Sequence, residues 1–159
     1  MNAARILLAG AVLTSAVALY AKPAPHPVGP SAAELVTARQ AGMDLSASSL
    51  TLLKNASTNG VPLKNLAFPA GGLAKWATAL PTLFPDSTKG TKSEAKAEVF
   101  TDRAGFNAKA QVYIDATKAL AAAAAADDKP AFDAALASTG AACKGCHDGY
   151  KVAPPAKPG

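Results

Sequence analysis

The chain contains two cysteines, Cys143 and Cys146, and a histidine, His147, follows the second one directly. The spacing C-x-x-C-H is the attachment pattern of haem c, in which two thiols bind the porphyrin covalently and the histidine binds its iron. On a helix, three-residue spacing places both sulfur atoms on one face, beside the imidazole. This motif constrains the fold most, because the rest of the chain then has to enclose a haem.

Other uses of the motif compete with haem attachment. A zinc site needs about four ligands, and the only further histidine is His26, in a proline-rich stretch. A thioredoxin-like redox pair should begin a helix that follows a strand, and nothing before Cys143 has the pattern of a strand. A disulfide in a small helical interaction protein would make the motif accidental. We therefore predict one haem c per chain, held by Cys143 and Cys146, with His147 as an axial iron ligand.

Composition favours a single helical domain. A chain of 159 residues can form one substantial core. Abundant alanine, few aromatic residues and few β-branched runs are typical of an all-α fold. The formal net charge is +5, but the lysines are scattered, which argues against nucleic-acid binding.

The N-terminal segment is typical of an export signal. Arg5 precedes an apolar run over residues 6–20, and small residues near position 21 offer a cleavage site. We interpret residues 1–21 as a signal peptide for the periplasm, which agrees with haem c attachment outside the bacterial cytoplasm. A retained anchor is the alternative, and only then is membrane contact expected. Residues 22–30 are interpreted as a proline-rich tether and residues 152–159 as a proline-rich tail.

Apolar residues at helical spacing predict four long helices between residues 31 and 151. The first begins at a capping box formed by Ser31 and Glu34, and a short helical turn is expected over residues 93–99. The stripe of the third helix contains Phe106, Tyr113 and Leu120. The last apolar stripe includes Thr139, Cys143 and Tyr150, so the haem should lie inside the bundle. The predicted long helices span about residues 32–56, 69–80, 102–126 and 129–150.

Few residues can complete the haem site. Met43 lies on the stripe of the first helix, either as the sixth iron ligand of an electron carrier or as a core residue beside an open iron face. Arg39, one turn earlier, either binds a haem propionate or is a solvated surface residue. Lys151 either reaches a propionate or lies on the surface. The aromatic residues expected to wall the pocket are Trp76, Phe84, Phe100 and Phe106, although core packing explains each equally well.

From Ser31 to Lys151 the chain resembles the class II cytochromes c, which include the cytochromes c′ and their low-spin relatives. The strongest piece is Ala142–Lys151, because a haem motif near the C-terminus separates this family from class I cytochromes c. At Phe100 the family more often has tryptophan. The supporting pieces are Arg39–Met43, Leu80–Ser87 and Glu98–Phe100.

The resemblance implies an antiparallel four-helix bundle with haem held by the predicted motif, and often a homodimer through the first two helices. In the low-spin branch, a methionine at the position of Met43 is the sixth ligand. In cytochromes c′ the same position holds a bulky apolar residue, sometimes methionine, that shields a five-coordinate iron binding nitric oxide or carbon monoxide, so Met43 is compatible with both branches. Cytochromes c′ usually carry arginine where Lys151 stands. We therefore predict a periplasmic electron carrier, not an enzyme, that serves an unidentified redox partner protein; the alternative is a gas-binding cytochrome c′.

Overall fold

The computed structural model describes residues 29–153, and these form five α-helices. Four of the helices are long, which confirms the prediction of an all-α four-helix bundle. No helix in this part of the chain is long and apolar enough to cross a membrane. The helices are α1 (Ala32–Thr58), α2 (Ala67–Ala79), α3 (Glu98–Thr101), α4 (Arg103–Ala126) and α5 (Lys129–Tyr150).

Several sequence predictions concern residues outside this range. The signal peptide at residues 1–21, nearly all of the tether at 22–30 and most of the tail at 152–159 lie outside the described residues. The same holds for His26.

Side-chain caps begin the three longest helices. Ser31 and Glu34 form the predicted capping box of α1, in which the Ser31 backbone N–H donates to the Glu34 carboxylate at 2.7 Å. Asp102 accepts from the Gly105 N–H at 3.1 Å, and Asp128 accepts from the Ala131 N–H at 3.0 Å. Each cap satisfies a backbone donor that has no partner within the helix. The beginnings of these helices are therefore encoded locally.

Two predicted boundaries differ from the structure. Helix α2 begins at Ala67, so Pro69 is its third residue, where a missing N–H costs no helical hydrogen bond. The helical turn predicted over residues 93–99 is wrong for residues 93–97, because α3 begins only at Glu98. Residues 94–96 instead pair with the end of α5: the Lys96 N–H donates to the Tyr150 carbonyl at 3.0 Å, and the Val152 N–H to the Glu94 carbonyl at 2.8 Å. This long-range pairing overrides the local helical pattern.

Helix α4 is the centre of the bundle and packs against both α2 and α5. Its predicted stripe of Phe106, Tyr113 and Leu120 is buried, and Phe132 of α5 is fully buried beside it. Helix α1 packs on α2 and on the segment that follows α2. The space between α1, α4 and α5 lies next to the cysteines.

The contact between α1 and α2 depends on Gly42. The ring of Trp76 lies against the backbone of Gly42, and a Cβ atom added there would collide with the indole. The buried Trp76 Nε1–H has no hydrogen-bond partner among the described residues. Apolar packing on the glycine therefore holds this indole in place.

Replacing Gly42 with alanine is expected to lower the free energy of unfolding by about 1–3 kcal/mol, because the methyl group would overpack this contact. Gly72→Ala is the matched control, since a Cβ atom there meets nothing within 4 Å. That change should stabilise α2 by roughly 0.5–1 kcal/mol. Urea unfolding measures both variants, and equal effects of the two substitutions would contradict the contact with Trp76.

Candidate functional site

Two adjoining cavities lie along the C-x-x-C-H motif. The first, called the Arg39 cavity because Arg39 lines it, has a volume of about 290 Å³. The second, called the Tyr113 cavity because Tyr113 lines it, has a volume of about 310 Å³. They share a mainly apolar boundary, so they form one interrupted space between α1, α4 and α5. The shared residues are Met43, Ala47, Leu80, Ala110, Cys146 and His147.

The two cysteines face this space as free, half-buried thiols. Burial raises the pKa of Cys143, and burial followed by the nearby Cys143 raises the pKa of Cys146. A reactive redox cysteine instead has a lowered pKa, commonly at a helix N-terminus, whereas these residues lie in the last two turns of α5. Within residues 29–153, no group of three or more His, Cys, Asp or Glu side chains is arranged to hold a metal ion. The pair therefore fits covalent attachment better than redox exchange or zinc binding.

His147 lies at the mouth of both cavities on an exposed part of α5. Partial burial, followed by the positive charge of Lys151, lowers the pKa of its imidazole. The neutral ring is the form that binds a metal. Two free thiols and one imidazole beside an apolar space are a donor set that fits haem c.

Met43 is half-buried and lines both cavities. It reaches the shared space from α1, whereas Cys146 and His147 reach it from α5. The structure therefore brings Met43 together with the haem motif across about a hundred residues of sequence, as the stripe of α1 predicted.

Arg39 is buried, with only 3% of its surface exposed, so the alternative of a solvated surface residue is wrong. Its guanidinium lies 4.3 Å from the centre of the Phe84 ring. Burial lowers its pKa, and no carboxylate of the described residues lies within 4.0 Å of it. The side chain donates to the Leu83 carbonyl (3.2 Å), Thr88 Oγ1 (3.2 Å) and Ser93 Oγ (3.0 Å).

This arrangement leaves a buried cation at the edge of the Arg39 cavity without a counter-ion among residues 29–153. Neutral oxygen atoms satisfy part of its hydrogen-bonding capacity, but they do not balance its charge. A haem propionate would supply the missing charge, and propionate binding by Arg39 stays a prediction.

Lys151 is half-buried, lines the Arg39 cavity and forms an ion pair with Glu94 at 3.2 Å. An exposed side-chain fraction of 40% agrees with the expected surface lysine, and propionate binding by Lys151 stays a prediction. The same two segments form the backbone bridge between Ala95 and Lys151. Lys151 thus belongs to the rim of the cavity.

Two of the four predicted aromatic wall residues contact the site. Phe84 and Phe106 line the Arg39 cavity, whereas Trp76 and Phe100 line neither cavity. Sequence reasoning placed Tyr113 and Tyr150 on helical stripes but did not assign them to the walls. Tyr113 lines one cavity and Tyr150 the other, and burial raises the pKa of Tyr113 to about 12. The position of each tyrosine on a helical stripe was the sequence signal that could have identified it as a wall residue.

Comparison with known proteins agrees with this geometry. The family profile described as Cytochrome C' matches residues 34–151. A cytochrome c' of Pararhodospirillum photometricum is 43% identical over 83 residues, which cover 52% of this chain and 66% of that protein. The chain thus spans about two thirds of the length of this curated relative.

Solved structures that are similar to this chain include cytochromes c′. A ferrous variant of cytochrome c prime from Alcaligenes xylosoxidans with bound NO is 28% identical, has a TM-score of 0.72, and is matched over 79% of this chain and 99% of its own. A cytochrome c' described as having an unusual ligand-controlled dimer dissociation is 25% identical, has a TM-score of 0.72, and is matched over the same shares of both chains.

Proposed function

The chain belongs to the cytochrome c′ family and is therefore a haem c protein with one covalently attached haem, and from this premise we propose that its iron is five-coordinate and binds nitric oxide or carbon monoxide. The family consists of haem proteins that bind gases or transfer electrons, not of enzymes. The proposal follows the alternative from the sequence, because the similar proteins are named cytochrome c′. It replaces the low-spin electron carrier as the preferred function.

The observation that carries the proposal is the apolar space that Met43 and His147 share. Met43, Leu80 and Ala110 line both cavities, and such an apolar lining suits the face of a haem and a small uncharged ligand at its iron. In this proposal Met43 is a distal pocket residue, and its flexible thioether packs in the space without acting as a ligand.

The other residues have distinct roles. Cys143 and Cys146 would hold the haem covalently, and the neutral imidazole of His147 would bind the iron from α5. When bound, the haem supplies an iron that changes oxidation state and offers a position for a gas molecule. Arg39 of α1 would balance the charge of a propionate.

Optical spectra of the purified protein test this proposal. A five-coordinate site is expected to give broad high-spin bands in the reduced protein, and these should sharpen when carbon monoxide is added. A sharp low-spin reduced spectrum that carbon monoxide leaves unchanged, with a weak sulfur-to-iron band after oxidation, would contradict it and support ligation by Met43. Absence of haem absorbance would contradict both functions.

Localisation and assembly belong to the same proposal. Residues 1–21 would direct export to the periplasm, which N-terminal sequencing of protein from the periplasmic fraction tests. Leu45 and Leu52 are exposed seven residues apart on α1, which supports a homodimer through this helix. Sedimentation analysis with and without carbon monoxide would identify the dimer, and a single monomeric species under both conditions would contradict it.

A further inference from the structure

The direction of the His147 imidazole has to be fixed by contacts of the ring or of the helix that carries it. An iron-binding histidine is usually oriented by a hydrogen bond from its second ring nitrogen to a carboxylate, carbonyl or water. Among the described residues, no side chain or backbone group forms a hydrogen bond with the His147 ring. The direction of the imidazole must then depend on the part of α5 that carries it.

Tyr150 fastens this part of α5 to the beginning of α4. Three residues after His147, it lies one helical turn further along the same side of the helix. Its hydroxyl donates to Asp102 Oδ2 at 2.7 Å. Its ring packs edge-on against Phe106, with the ring centres 5.5 Å apart and an interplanar angle of 81°. The ring and the hydroxyl thus fix Tyr150 in two directions.

Asp102 joins this contact to the N-terminal cap of α4. Its other carboxylate oxygen accepts from the Gly105 N–H at 3.1 Å, so one carboxylate serves both helices. A Cβ atom at Gly105 would collide with Asp102 Oδ2 and crowd the Tyr150 hydroxyl. The close approach of Tyr150 therefore requires glycine at this position.

Other contacts at this end of α5 act on its backbone, including a bond of 3.1 Å from Lys96 Nζ to the Asp148 carbonyl. The pairing of residues 94–96 with residues 150–152 holds the chain just after α5 in place. A side-chain contact one turn from His147 adds resistance to rotation of the helix end about its axis. Because Asp102 is exposed, this hydrogen bond should contribute little to the free energy of unfolding. Its main effect should be on orientation.

We propose that Tyr150 and Asp102 are a positioning pair, which sets the rotation of the last turn of α5 and thereby the direction of the His147 imidazole. Tyr150→Phe removes the donor and keeps the ring packed on Phe106. Asp102→Asn removes the charged acceptor and keeps a residue that can cap α4. The inference requires a haem bound by His147, but it does not depend on whether the iron is five- or six-coordinate.

The test is electron paramagnetic resonance of the oxidised haem-loaded protein, together with the midpoint potential. Each single substitution is expected to broaden or split the resonance signals, to change their g values and to shift the midpoint potential of the haem. The double variant should show no further change, because the two residues act through one hydrogen bond. Ser57→Ala is the matched control: it removes a hydrogen bond of 3.3 Å to Asp133, near the other end of α5. It should leave both readouts at their wild-type values.

One outcome would overturn the positioning role of Tyr150 and Asp102. Wild-type g values and an unchanged midpoint potential in Tyr150→Phe would overturn the inference, whether or not the melting temperature falls. The wild-type spectrum separately reports high or low spin. A low-spin wild type would therefore contradict five-coordination while leaving the comparison between variant and wild type valid.

Discussion

Replacing Arg39 with methionine is expected to lower the free energy of unfolding of the haem-loaded protein by about 3–5 kcal/mol, the range found when one partner of a buried ion pair is removed. The guanidinium is buried at 3% exposure and donates to Leu83, Thr88 and Ser93. Methionine fills a similar volume but leaves these acceptors and the predicted propionate without a donor. Denaturant unfolding of the holoprotein measures the loss.

Arg103→Met is the matched control for this change. The Arg103 side chain is 35% exposed, donates to the Phe84 carbonyl at 2.7 Å and lies 3.7 Å from the exposed Asp86. Its loss should cost no more than about 1 kcal/mol, because solvent screens the ion pair. A loss of equal size in both variants would contradict a special role of Arg39.

Arg39→Lys separates charge from hydrogen bonding. Lysine keeps the positive charge but cannot reproduce the planar fork that spans the acceptors. A loss intermediate between wild type and Arg39→Met is expected, together with a midpoint potential closer to wild type than that of Arg39→Met. If lysine destabilises as much as methionine, hydrogen bonding and not charge compensation dominates at this position.

Features encoded by neighbouring residues could be predicted from the sequence. The capping box of Ser31 and Glu34, the caps at Asp102 and Asp128 and the haem motif each need only a few consecutive residues. Helical periodicity also placed Met43 on the correct face of α1. These predictions succeed because local geometry fixes the relation between the groups.

Features that depend on distant segments could not be predicted. The acceptors of Arg39 come from residues 83, 88 and 93, which no local pattern connects to α1. The extended segment at 94–96 depends on pairing with the end of α5. Trp76 is absent from the cavity walls because it packs on Gly42, and that glycine carries no sequence signal for an indole partner.

Replacing Met43 separates its two proposed roles. Met43→Leu preserves most of the volume but removes the thioether, so the optical spectrum of a five-coordinate protein should stay high-spin and unchanged. Met43→Ala opens the space shared by the two cavities, and carbon monoxide association should become about tenfold faster, equivalent to a barrier lowered by about 1.4 kcal/mol. Flash photolysis measures this rate.

Leu50→Ala is the matched control for lost volume, because Leu50 lines the Tyr113 cavity but not the Arg39 cavity. It should change the association rate less than Met43→Ala does. If Met43→Leu instead converts a low-spin spectrum to a high-spin one and lowers the midpoint potential, the thioether is an iron ligand, since methionine ligation raises the potential. The same side chain would then keep gas molecules out by occupying the iron, and the electron carrier would be the correct function.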